Sequence, residues 1–148
     1  MGDLKTVSEV KEYFRQIRKE QNEIKSLQAM INSKECEMLP QGIRYDKDRV
    51  QTTPRDTMPE RCGEIASYRM ELNESMEKLL DHKAEAERML RDLKDPDERE
   101  VMRYYYMRPE DGYLLTWDQV AIRMNYYKRH VLRIHGNALA HLAKDDTK

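Results

Sequence analysis

Apolar residues recur along the first forty positions at helical spacing. Val7, Val10, Phe14, Ile17, Ile24 and Ile31 are separated by 3, 4, 3, 7 and 7 positions, and Gln21 and Gln28 fill polar places in the same seam. This is the heptad pattern of a helix that packs lengthwise against another. Thr6-Val-Ser-Glu9 is a capping box at its start, and Leu39-Pro40-Gln41-Gly42 ends it. The pattern predicts a helix over about 7–38, roughly 48 Å long. A second stripe runs through Ile65, Tyr68, Leu72, Met76, Leu79, Ala86, Met89 or Leu90, and Leu93. It follows another capping box, Thr57-Met-Pro-Glu60, and predicts a helix over 59–93. Neither stripe can be buried by its own helix. Two helices of similar length joined by one loop pair most simply as an antiparallel coiled-coil hairpin.

The intervening loop, 39–58, has no periodicity and contains Pro40, Gly42 and Pro54. Two readings of it stand side by side: a plain connector, or a contact surface using Arg44, Tyr45, Arg49 and Val50.

Beyond the hairpin the elements shorten. Asp95-Pro-Asp-Glu98 opens a third helix, with an Asp cap and Pro at its first position. Val101, Met102 and Tyr105 are expected to face inward. Of Tyr104, Tyr105 and Tyr106, one is expected in the core and the others half-exposed, with stacking on single-stranded nucleic acid as the alternative. Met107 to Leu115, with Pro109, Asp111 and Gly112, reads as a turn. Thr116-Trp-Asp-Gln119 is a further capping box, and Trp117 is expected to cover a small core. Val120, Ala121 and Met124 then form one helix face, Asn125 suits a turn with positive φ, and Tyr126 packs it. Val131, Ile134, Ala138 and Leu142 repeat on the next helix. Ala121 is small where two helices must cross closely. This order of residues is what a DNA-binding helix-turn-helix requires.

The fold expected is therefore all-α: a long helical hairpin over 1–93, a small three-helix helix-turn-helix domain over 94–144, and a tail over 145–148. The charge distribution agrees with that division. Residues 1–98 hold 18 Lys/Arg against 22 Asp/Glu, and residues 99–148 hold 9 against 6. From Gln119 to Lys144 there is no acidic residue, while Arg123, Lys128, Arg129, Arg133 and Lys144 are basic. A basic end on a near-neutral chain points to a nucleic-acid module. Cys36 and Cys62 form no zinc pattern and read as free thiols of a cytoplasmic protein, although a hairpin brings the two closer together. His82, His130, His135 and His141 make no metal pattern either, and no metal or other cofactor is expected. No apolar run is long enough to span a membrane. No nucleophile with a positioned base and no phosphate-cradling glycine loop is present, so an enzyme is not expected.

Residues 90–142 resemble the fourth region of sigma-70-type factors, the domain that reads the −35 promoter element. The resemblance is carried by LRDLKDPDEREVM and by TWDQVAIRMNYYKRHVLRIHGNALAHL. The chain as a whole is similar to small proteins of phages and prophages of Gram-positive bacteria. These join a long helical part to a sigma-region-four-like end and are regarded as transcriptional regulators. The segment Asp48-Arg-Val-Gln-Thr-Thr-Pro resembles the same set. The resemblance implies that Lys128, Arg129 and Arg133 meet bases and phosphates. Apart from the resemblance, His130 is expected to touch phosphate or solvent. Tyr127 departs from the family, which usually has Ser or Thr at that cap. The ring is available for a sugar or a thymine methyl. The N-terminal coiled coil leaves no counterpart of the region that opens the −10 element, so a complete sigma factor is not implied.

Three functions follow as expectations. The first is a phage transcription regulator that binds double-stranded DNA through Tyr127, Lys128, Arg129, His130 and Arg133. Its hairpin would supply a homodimer contact or a contact to RNA polymerase. The second is a DNA-packaging protein like a small terminase subunit, which would form rings of about eight or more subunits. The third is an interaction module that binds protein alone.

Overall fold

The computed structural model describes residues 6–38 and 58–143. Among these the chain is 84% helix and has no strand. The elements are α1 (Val7–Met38), α2 (Met58–Leu90), α3 (Pro96–Met102), a π-helical turn (Arg103–Met107), α4 (Trp117–Met124) and α5 (Lys128–Leu142). The predicted loop lies outside the described residues, except for Met58, which begins α2. The Thr57 cap, the Asp48–Pro54 segment and the 145–148 tail also lie outside them.

The capping box at α1 forms: Thr6 Oγ1 accepts from the Glu9 N–H at 3.1 Å, and Glu9 Oε2 accepts from the Thr6 N–H at 3.3 Å. Val10, Phe14, Ile17, Ile24 and Ile31 are buried as the seam requires. Val7 departs from it and is exposed, because it lies in the first turn of α1. Gln21 is buried and Gln28 is exposed. α2 ends at Leu90, three residues before the predicted limit. Its last turn tightens, with N–H bonds from Asp92 to the Met89 carbonyl at 3.1 Å and from Leu93 to the Leu90 carbonyl at 3.0 Å. Arg99 donates to the Leu93 carbonyl, and Leu93 remains buried.

The chain forms two compact units. One unit comprises Met1–Asn22 with Lys78–Lys148, and the other Glu23–Glu77. The start of α1 and the end of α2 thus belong to one unit with the C-terminal elements, for a physical reason. α3 and α4 have only 7 and 8 residues. They cannot cover both the N-terminal and the C-terminal half of α5. Val101, Leu115, Val120, Ala121, Val131 and Ile134 make one core around the start of α5. Ala138, Leu139 and Leu142, further along α5, are instead buried against Val10, Phe14 and Ile17 of α1 and Ala86 and Leu90 of α2.

The π-helical turn explains a second difference. The core tyrosine is Tyr106, at 1% exposure, and not Tyr105. The wider turn admits extra residues per rotation and shifts the helical phase, so the inward position moves on by one. Carbonyls at the end of such a helix have no intrahelical partner. Arg18 donates to the Tyr105 carbonyl and Gln21 to the Tyr106 carbonyl, both from α1. The Arg18 guanidinium lies 3.8 Å from the centroid of the Tyr105 ring, which stacks on Trp117 at 3.6 Å between ring centroids. A cation at a helix C-terminus and over an aromatic face is favourable on both counts.

In the second unit Ile24, Ile31 and Ile65 are buried, and Lys34 pairs with Glu64 at 3.1 Å. Arg69 pairs with Glu35. Cys36 and Cys62 are exposed free thiols. No helix among the described residues is long and apolar enough to cross a membrane.

Candidate nucleic-acid interface

The Thr116 capping box sets the start of α4. Thr116 Oγ1 accepts from the Gln119 N–H at 3.2 Å, and Gln119 Oε1 accepts from the Thr116 N–H at 2.9 Å. α4 ends at Asn125, with φ 60 and ψ 41 in the left-handed region. The Tyr126 N–H bonds back to the Ala121 carbonyl at 3.0 Å and the Asn125 N–H to the Ile122 carbonyl at 3.2 Å. These are the two reversed bonds of a Schellman stop, with Asn in the place most often taken by Gly. Only Asn125, Tyr126 and Tyr127 separate α4 from α5. Ala121 of α4 and Val131 of α5 belong to the same buried core.

Tyr127 is the N-cap of α5, with φ −73 and ψ 148, and its side chain makes no capping bond. It is 88% exposed. Tyr126 is anchored instead: its O–H donates to Asp97 Oδ2 at 2.7 Å, and this acceptor pushes the phenol pKa up. The Tyr126 ring meets His130 edge-on at 4.7 Å.

The inward face of α5 consists of Val131, Ile134, His135, Ala138, Leu139 and Leu142. Arg129, Leu132, Arg133, Gly136, Asn137 and Ala140 lie on the opposite, exposed face. The predicted basic residues divide between these surroundings. Arg129 is exposed and has no acidic partner among the described residues. Arg133 Nη2 donates to His130 Nδ1 at 2.8 Å, so the imidazole holds the guanidinium in place. That bond uses the lone pair of Nδ1, and the ring proton then sits on Nε2. Lys128 lies to one side, 3.5 Å from Asp118. Arg123 is held by Glu110, with its Nε donating at 2.9 and 3.1 Å. The same pairing lowers the pKa of the Glu110 carboxyl and raises that of Arg123. The acid-free window of the sequence is therefore not an acid-free surface, because Asp118 and Glu110 enter from just outside it.

Glu110 reaches Arg123 from a tight turn. The Glu110 and Tyr113 backbones exchange N–H bonds of 2.8 Å in both directions, across Asp111 at φ 53 and Gly112 at φ 80. Two consecutive positive φ values are what such a reversal requires, and Gly112 adopts its share without strain.

Sequence reasoning passed over Ile122, which is 70% exposed. The signal was present: with Val120, Ala121 and Met124 inward on α4, position 122 has to point out. Ile122 lines a groove of about 560 Å³ together with Ala121, Asn125, Tyr126, Tyr127 and His130.

No protein-family model, curated protein or solved structure matches the chain.

Proposed function

We propose that this chain is a sequence-specific, double-stranded-DNA-binding transcription regulator of the phage type, in which α4 and α5 act as a helix-turn-helix. α5 enters the major groove by its exposed face. Arg129 and Arg133 contact guanine edges and phosphates, Lys128 and Tyr127 contact the groove wall, and His130 orients Arg133 and offers Nε2–H to a phosphate. The observation that carries this reading is the left-handed Asn125 turn. It joins α4 and α5 across Ala121 and leaves Arg129 and Arg133 without acidic partners among the described residues on the exposed face of α5. The hairpin reading of α1 and α2 is supported by their paired residues: Tyr13 and Glu20 meet His82, whereas Lys34 and Glu35 meet Glu64 and Arg69. In this reading the hairpin supplies self-association or a contact to RNA polymerase, and the protein works in the cytoplasm.

The test is selection of duplexes from a random-sequence pool by the full chain, followed by fluorescence anisotropy at two salt concentrations. We expect one enriched sequence. Replacing Lys128, Arg129 and Arg133 together by Ala is expected to abolish the preference and to flatten the salt dependence by about 0.9 per lost phosphate contact. If no sequence is enriched, or if the triple variant binds like the wild type, the proposal fails.

A further inference from the structure

Two large side chains with apolar surface lie largely exposed at the α4–α5 turn. Tyr127 is 88% exposed and Ile122 is 70% exposed. Tyr is a poor N-cap, and Ser, Thr, Asp or Asn in that position would stabilise α5 more. Position 122 is a solvent position of a short helix, where a polar residue would serve as well. Both residues line the same groove, whose floor is completed by Ala121, Asn125, Tyr126 and His130. Arg129 follows two residues after Tyr127 and has no acidic partner among the described residues. The surroundings of this apolar surface thus suit a polyanion. Of the features that base pairs present in the major groove, the apolar one is the C5-methyl group of thymine.

We propose that Tyr127 and Ile122 form a thymine reader, with the Tyr127 ring and the Ile122 side chain closing on thymine C5-methyl groups. This rests on the DNA-binding reading above and adds a base preference to it. Arginine supplies affinity and guanine contacts, and the groove selects thymine at a neighbouring step.

The experiment uses the full chain and the duplex enriched from the random pool. Each dT is replaced in turn by dU, which removes the methyl group and leaves the Watson–Crick edge unchanged. One or two positions are expected to lose about fourfold in affinity, the equivalent of about 0.8 kcal/mol for a buried methyl-sized group. Tyr127→Ala is expected to bind the dT and dU duplexes equally, Ile122→Ala to lose part of the difference, and Tyr127→Phe to keep it. The Tyr127 side chain makes no capping bond, so these variants should retain the wild-type helical circular dichroism. Tight binding with no dT/dU difference at any position overturns the thymine reader and leaves DNA binding standing. A difference that survives both Tyr127→Ala and Ile122→Ala also overturns it, and moves thymine recognition to another residue such as Leu132. If no duplex is enriched, both readings fall together.

Discussion

His135 is held neutral inside the fold, and this makes stability depend on pH in a defined window. Its Nε2 lies 2.8 Å from the Tyr106 hydroxyl, and its ring is 4.6 Å from Trp117. Burial, with Lys11 and Arg15 adding repulsion, pushes its pKa down from 6.5 to about 4. Above 6.5 the imidazole is neutral in both folded and unfolded chains. As the pH falls through 6.5 the unfolded chain takes up a proton there, and the folded chain does not until about 4. Stability from this residue is therefore complete above 6.5 and is lost progressively as the pH falls towards 4. At about 1.4 kcal/mol for each pH unit, the loss is on the order of 3 kcal/mol. His135→Gln keeps a hydrogen-bonding partner for Tyr106 and cannot titrate in this range. Urea unfolding followed by Trp117 fluorescence, run on both proteins from neutral pH to about pH 4, isolates the contribution. Carboxylate titrations are common to both proteins and cancel in the difference. The wild type is expected to lose on the order of 3 kcal/mol relative to the variant across the window. Parallel curves, or a histidine resonance titrating at its ordinary value, would refute the reasoning.

Three further predictions concern the fold. A fragment of residues 94–144 is expected to be largely unfolded by circular dichroism and proteolysis, because Leu139 and Leu142 lose the cover of Val10, Phe14 and Ile17. Each exposed leucine forfeits about 1.5–3 kcal/mol, a large part of the 5–15 kcal/mol typical of a domain. In the full chain Phe14→Ala should cost about 3–5 kcal/mol in urea unfolding. At the turn, Asn125→Ala is expected to lower stability by about 1 kcal/mol, because a β-carbon is strained at φ 60, whereas Asn125→Gly should be nearly neutral. Equal melting temperatures for Asn125→Ala and the wild type would show that the turn is not held in that conformation.

The sequence by itself determined the helices. Capping boxes at Thr6 and Thr116, Pro96 behind Asp95, and Asn125 between two apolar faces mark local choices that depend on nearest neighbours alone. It also determined which face of α5 turns inward, because helical spacing needs no knowledge of the partner. The tertiary structure decided which surfaces meet. That Gln21 is buried and Gln28 exposed follows from the Tyr106 carbonyl needing a donor from α1, and this carbonyl is 85 residues away in the chain. The change from Tyr105 to Tyr106 in the core followed from one wider turn, which apolar spacing does not announce. Arg123 and Lys128 lost their place as free cations because Glu110 and Asp118 approach them in space. Local backbone preference and periodicity act over a few residues and are written in the sequence. Burial and ion pairing depend on distances that exist only once α1, α2 and α5 share a core.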